Sequence, residues 1–328
     1  MARQVERILV IKLSALGDFV LALAAMRKIR QAHPKAHITL LTTPQFEALA
    51  KICPYFNAVD SGGRSQSFAD WMALRKRIKA VGYSRVYDLQ TSSRSNRIFQ
   101  MLRPGPPVWS GVAWGCALPH RNPLRDGMHT LERHADQLMS AGIWDDAPTE
   151  PGSAPVPDLS WVLKSKAAER PAPGGNRPRP YVMFVPGGAA HRPEKRWPVE
   201  SYSELARILY SRGFDIVIIG GPQEAELAHA IQRTTPRARD LTGRTDFARV
   251  AMLGARAALA IGNDTGPLHL AAAAGAPAIV LFSKASDPAL SAPRGRVAIL
   301  RADRLEDLPV AQVAQAANSL VASPTALP

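Results

Sequence analysis

A chain of 328 residues is too long for one ordinary hydrophobic core and fits two domains of roughly 150 residues each. Its composition, 46% hydrophobic and 21% charged, excludes a disordered chain, and no apolar run reaches the ~20 residues needed to cross a bilayer. Two cysteines without a CxxC or a Cys/His cluster exclude a disulfide framework and a structural zinc site, and fit a reducing cytoplasm. The net charge of +14 points to an acidic partner: nucleic acid, an anionic membrane surface or a phosphorylated substrate.

Residues 7–12 (RILVIK) read as a buried strand and 17–31 as a helix. The stretch 8–26 mimics the apolar part of a signal peptide, but Lys12 and Asp18 interrupt it, and strand, loop and helix account for the same letters. The connecting segment, Lys12-Leu-Ser-Ala-Leu-Gly-Asp18, is a loop of small residues at the carboxyl end of a strand, where open parallel sheets bind ligands. It has neither the GxGxxG spacing of a dinucleotide fold nor a Walker loop. Asp18 reads either as a first-turn acid stabilised by the helix dipole or as a general base.

Residues 37–41 form a second strand, 68–80 a helix with Trp71, Leu74 and Ile78 on one face, 85–89 a strand, and 130–141 a helix. Between residues 61 and 125 eleven Lys/Arg stand against Asp70 and Asp88. Such a run is either a solvated face or an anionic acceptor site, for which Ser14, Gly17, Arg64, Arg94, Arg97 and Arg121 are the candidates. The Pro/Gly-rich stretches 147–157 and 171–180 break regular structure, and a domain boundary is expected at 170/171.

The alternation then restarts: strands at 181–185, 215–219, 257–261 and 277–282, helices at 199–211, 223–233 and 267–274, and a last helix over about 305–322. Two similar doubly wound domains facing a central cleft are the expectation. Three loops at strand ends carry candidate chemistry. Gly187 and Gly188 open the backbone before Lys195, whose charge suits a diphosphate. Glu224 follows Gly220-Gly221 and reads as a nucleoside-hydroxyl ligand or as a first-turn acid. Asn263-Asp264-Thr265-Gly266-Pro267 runs from strand to helix. Asp264 or Thr265 is the candidate cap, Pro267 sits where its missing N–H costs nothing, and His269 is either a site residue or a core histidine.

Together, RILVIKLSALGDFVLALAAMRKIR, VPGGAAHRPEKRWPVESYSELA, IIGGPQEAELA and AIGNDTGPLHLAAAAGAPAIVLFSKASDP resemble glycosyltransferase family 9, the ADP-heptose:lipopolysaccharide heptosyltransferases. The resemblance implies a GT-B fold, with the acceptor on the first Rossmann-like domain, the donor on the second, and the last helix packing back toward the first. It implies inverting, metal-independent glycosyl transfer from ADP-heptose or a similar nucleotide sugar to an anionic glycolipid of the lipopolysaccharide-core or lipid A–Kdo type. Asp18 matches the family's proposed general base, Lys195 the lysine on the donor phosphates, Asp264, Thr265, Gly266 and His269 the donor loop, and Glu224 an acid near the nucleoside. No cofactor and no metal are implied. A cytoplasmic monomer touching the inner membrane face is expected.

Rival readings are a transferase of another surface polysaccharide, a non-catalytic glycolipid binder, a nucleotide-binding dehydrogenase and a basic nucleic-acid-binding protein. The last is disfavoured because aromatics are only 6% of the chain, so stacking platforms are scarce.

Overall fold

A computed structural model of the chain describes residues 5–165, 179–188 and 191–322. The chain divides into two compact units, Met1–Pro157 and Asp158–Pro328. The boundary expected at 170/171, and most of the linker around it, lie outside the described residues. The short turn Ser160–Lys164 packs on a helix of the second unit, which draws that unit's start back to Asp158.

The first unit runs β1 (Arg7–Ile11), α1 (Leu16–Ala32), β2 (His37–Leu41), α2 (Glu47–Ile52), β3 (Ala58–Asp60), α3 (Phe68–Val81), β4 (Arg85–Asp88), α4 (Ser93–Met101), β5 (Val108–Gly111), β6 (Leu118–Pro119) and α5 (Thr130–Ser140). Four of the five β1 residues are buried without alternation, the pattern of a strand covered on both faces by helices. Ser67 caps α3 by accepting the Asp70 N–H, while the Asp70 carboxylate reaches back to the Ser67 N–H. Leu74 and Ile78 of α3 are buried beside Trp109 and Phe99, whose rings meet edge to face.

The second unit runs β7 (Tyr181–Val185), α6 (Val199–Ser211), β8 (Asp215–Ile218), α7 (Ala225–Thr234), β9 (Arg239–Asp240), α8 (Phe247–Ala255), β10 (Leu259–Asn263), α9 (Gly266–Ala273), β11 (Ala278–Phe282), α10 (Pro288–Ser291), β12 (Val297–Arg301) and α11 (Val310–Ala322). Its third long strand begins at Leu259 rather than at 257, because the Ala257 N–H still bonds the Gly254 carbonyl at the end of α8. The last helix starts at Val310 and buries Val313, Ala314 and Ala317 in the core formed by β7, β8, β10, β11 and α6.

Both sheets are parallel, ordered β3-β2-β1-β4-β5-β6 and β12-β11-β10-β7-β8-β9. Counted from its own first strand, each follows the order 3-2-1-4-5-6 of a Rossmann unit. Strand order therefore reverses between β1 and β4 in the first unit and between β7 and β10 in the second. At each reversal the connecting loops diverge to opposite faces and leave a crevice at the carboxyl ends.

Candidate functional site

At the first crevice the loop leaving β1 is held from both neighbouring strands. Thr42 and Thr43, after β2, donate their hydroxyls to the Lys12 and Leu13 carbonyls at 2.7 and 3.1 Å. Gln90, after β4, accepts the Leu13 and Ser14 N–H groups on one oxygen at 2.8 and 3.0 Å. Helix α1 then starts with Asp18 half-buried in its first turn, its Oδ2 accepting the Ala15 N–H at 3.3 Å. Both readings of Asp18 thus keep a basis: it closes the helix start, and it lies at the carboxyl end of β1. Ser14 is exposed and Gly17 half-buried in the same loop.

Below this loop lies a desolvated polar cluster. Lys12 is buried, and its Nζ donates to the Leu89 carbonyl at 3.3 Å. Burial pushes its ammonium down to about 8, against the attraction of Asp18 and Asp88. Asp88 is fully buried and pushed up to about 6 by burial, although hydrogen bonds from Ser95, Thr91 and Gln90 oppose the rise. Its Oδ1 accepts the Gln90 and Thr91 N–H groups at 3.0 Å each, folding the turn that places Gln90; Thr91 takes a positive φ of 43° there. From α5, the His134 Nε2 donates to the same Leu89 carbonyl at 3.3 Å, and burial keeps that ring neutral by driving its basicity well down. Arg133 of α5 is lowered by burial and by the like charge of Arg125, with Asp18 opposing. Arg125 bonds the Thr91 hydroxyl at 3.2 Å. Lys12 and Arg133 both feel the negative charge of Asp18.

The basic stretch is more structured than a solvated run. Arg94 and Arg97 lie over the Trp71 ring at 5.8 and 5.5 Å, and Arg94 also donates to the Ser65 carbonyl at 2.8 Å. Arg103 lies between Phe99 and Trp114, at 5.3 and 5.5 Å. Arg64 and Arg121 are exposed.

The second crevice carries different side chains at its strand ends. Asn263, the last residue of β10, is fully buried. Its Nδ2 donates to the Pro186 and Gly187 carbonyls at 2.8 and 3.0 Å, and its Oδ1 accepts the Trp197 N–H at 3.0 Å and the Tyr202 hydroxyl at 3.2 Å. All four of its hydrogen-bonding positions are used, so the loop after β7 and the segment carrying Lys195 are locked together. The Lys195 ammonium donates to Asp264 Oδ2 at 2.8 Å, and His269 Nε2 stands 3.7 Å from Asp264 Oδ1. Burial would raise the Asp264 carboxyl, but His269 and Lys195 outweigh it and hold it down to about 2. Asp264 therefore does not cap α9. Thr265 occupies the cap position with extended backbone, its hydroxyl donating to the Asn263 carbonyl at 3.2 Å, and Pro267 stands in the first turn as expected.

A groove of about 290 Å³ at the ends of β7, β8 and β10 is lined by Gly187, Gly188, Gly220, Glu224, Thr265 and Gly266 among others. Glu224 is buried, and its Oε2 accepts the Gly221 N–H at 2.7 Å, so its carboxylate closes the turn Pro222–Glu224 at the edge of the groove. A methyl group on Gly187 would lie 2.6 Å from the Glu224 Cγ, whereas one on Gly188 would find its nearest neighbour at 3.5 Å. Only the first glycine is demanded by close approach.

Of the residues singled out in the sequence, Lys195, Asp264 and His269 meet in one ionic cluster, and Gly187, Gly188, Glu224, Thr265 and Gly266 line the groove. Sequence reasoning missed Gln90, Asp88, Arg133 and the anchoring role of Asn263. A charged Lys12 closing an apolar strand and an amide just beyond a strand end were the available signals.

The profile of glycosyltransferase family 9 (heptosyltransferase) matches residues 71–312. Lipopolysaccharide heptosyltransferase 2 of Escherichia coli K12 is 26% identical over 305 residues, covering 85% of this chain and 83% of the relative. Among solved structures, the ADP-heptose lps heptosyltransferase II of E. coli has a TM-score of 0.76 at 23% identity, covering 96% of this chain and 98% of that one. The E. coli heptosyltransferase WaaC with ADP has a TM-score of 0.77 at 22% identity, covering 96% and 99%. These neighbours share the two-unit GT-B fold.

Proposed function

The chain belongs to glycosyltransferase family 9 and is a glycosyltransferase, and from that premise we propose that it transfers a heptose from ADP-heptose to a lipopolysaccharide-core or lipid A–Kdo acceptor, inverting the anomeric centre without a metal ion. The Lys195–Asp264 ion pair, next in sequence to the Thr265 and Gly266 that line the glycine-rich groove, carries this reading. An ammonium has three N–H donors, and Asp264 orients it through one. The others are available to the diphosphate of the donor. Negative charge grows on the terminal phosphate as the glycosidic bond breaks, so a fixed cation there lowers the barrier where it acts most. The acceptor hydroxyl attacks the opposite face of the sugar, and Asp18 takes its proton as the new bond forms.

On the acceptor side, arginines stacked on Trp71 and Trp114 suit the phosphates of an anionic glycolipid. Phe68 and Trp114, 78% and 80% exposed, suit a peripheral contact with an anionic membrane. The cytoplasmic side of the membrane, where nucleotide sugars are made, is the proposed place of action, with the chain acting as a monomer.

The test is turnover and donor binding by Asp18→Asn, with ADP-heptose first in a panel of nucleotide sugars and lipid A–Kdo as acceptor. Turnover is expected to fall about 100–10,000-fold with donor affinity in calorimetry unchanged and with EDTA without effect on the wild type. Near-normal turnover by the variant would refute the base. A different sugar nucleotide preferred over ADP-heptose would shift the reading to another surface polysaccharide.

A further inference from the structure

We propose that Gln90 is the positioning residue of Asp18: it holds the backbone from which the base is aimed and does not itself touch the substrate. The inference rests on the assignment of Asp18 as base. It starts from the ladder of β1. Up to Ile11 the strand is paired on both sides, and the Leu89 N–H gives it the last bond from β4, to the Ile11 carbonyl at 3.1 Å. Beyond that point β4 turns away into the crevice, and the Leu13 and Ser14 N–H groups no longer face a backbone acceptor on that side. One oxygen of Gln90 accepts both. Two donors fix which end of the amide faces the loop, because only the oxygen can accept.

The backbone that carries this side chain is itself held in place. Asp88 Oδ1 accepts the Gln90 and Thr91 N–H groups, and the Gln137 amide of α5 donates to the Asp88 carbonyl at 3.0 Å. Lys12 and His134 both donate to the Leu89 carbonyl. Thr42 and Thr43 hold the opposite edge of the loop through its carbonyls. The next residue, Ala15, gives its N–H to Asp18. Gln90 is therefore joined to the base through three consecutive backbone amides, those of Leu13, Ser14 and Ala15. The second unit also ties down the loop after its first strand with an amide, but from a different position and with opposite polarity: Asn263, the last residue of β10, donates to the Pro186 and Gly187 carbonyls. In each unit an amide at the switch point ties down the loop that carries or adjoins the reacting group.

A general base displaced by about 1 Å loses about 100-fold in rate. Gln90→Leu removes the acceptor at nearly constant volume, and kcat with ADP-heptose and lipid A–Kdo is expected to fall about 10–100-fold. Donor affinity by calorimetry should stay within about twofold, because the donor groove lies on the other unit's loops. Gln90→Glu keeps an acceptor oxygen in place and should recover kcat to within about threefold of wild type. In the Asp18→Asn background, adding Gln90→Leu should cost nothing further, since a residue acting through the base has nothing left to position. Losses that multiply in the double variant, or a Gln90→Leu enzyme with normal kcat beside a dead Asp18→Asn enzyme, would overturn the proposal. A purely structural role would lower the melting temperature and the folded fraction in both backgrounds alike, and Gln90→Glu would not restore kcat per folded molecule. Normal turnover by Asp18→Asn would instead remove the base assignment, and the tether's purpose with it.

Discussion

At the end of β1 and at the end of β7 the same strand order presents opposite electrostatics. In the first crevice burial dominates: Lys12 is pushed down to about 8 and Asp88 up to about 6, so both charges sit in an environment that resists them. In the second crevice pairing dominates: Lys195 and His269 hold Asp264 down to about 2 despite its burial. A cluster poised near neutral pH suits proton transfer. A closed ion pair with spare donors suits the capture of an anion. Topology selects where ligands can approach, and the few side chains at the strand ends select the chemistry.

The sharpest way to break this comparison is to remove the cation of the second crevice. Lys195→Ala should lower kcat/KM about 100–1,000-fold and weaken donor binding, because it leaves the Asp264 carboxylate facing a diphosphate. Asp264→Asn keeps the lysine and relieves that repulsion, so its loss should be smaller, about tenfold from a less well-aimed ammonium. Equal losses in steady-state kinetics would mean that the pair acts as one unit and that Lys195 does not meet the donor alone.

Stability should separate the two anchoring amides. Asn263→Leu removes the partner of the Trp197 N–H and of two carbonyls in a dry interior, at about 1–3 kcal/mol for each group left unsatisfied, while the Tyr202 hydroxyl keeps the Val185 carbonyl. Gln90 is only half-buried, so its partners can turn to water, and Gln90→Leu should cost about 1 kcal/mol or less. Thermal unfolding of the two variants decides between this order and its reverse.

The titrations should differ in sign. Asp264 has a folded-state value below its ordinary one, so its contribution is fully present above about pH 4 and is lost as pH falls through 2, an effect of about 2 kcal/mol. Asp88 has a raised folded-state value, so its protonated form is favoured in the folded chain and stability falls as pH rises from about 4 to 6. Urea midpoints of Asp264→Asn and Asp88→Asn, each compared with wild type across pH 2–7, should diverge in these two windows and in opposite directions. A single shared window would erase the distinction between the crevices.

The last contrast concerns the paired glycines. Gly187→Ala must displace the buried Glu224 and should destabilise the second unit by about 1–3 kcal/mol, while Gly188→Ala should be near neutral. Matching melting temperatures would show that the groove edge is softer than its packing suggests.

The apolar runs RILVI, YVMFV and AIVLF, each punctuated by small residues and followed by helical periodicity, were enough to establish two parallel α/β units. Short edge elements such as β3, β6 and β9 were not legible, because two or three residues carry no period. The second crevice was legible because its residues are close in sequence, between 186 and 198 and between 262 and 269, and its helix carries its own stop and start signals. By itself the sequence determined the central strands and most of the long helices, the strand-end loops and the residue types able to grip a diphosphate. Only the tertiary structure decided that Asp264 pairs with Lys195 across 69 positions instead of capping its own helix, and that Gln90 holds a loop 76 positions away. Those choices depend on which strand ends lie side by side, and strand order in a parallel sheet is set by long-range packing that no local pattern encodes.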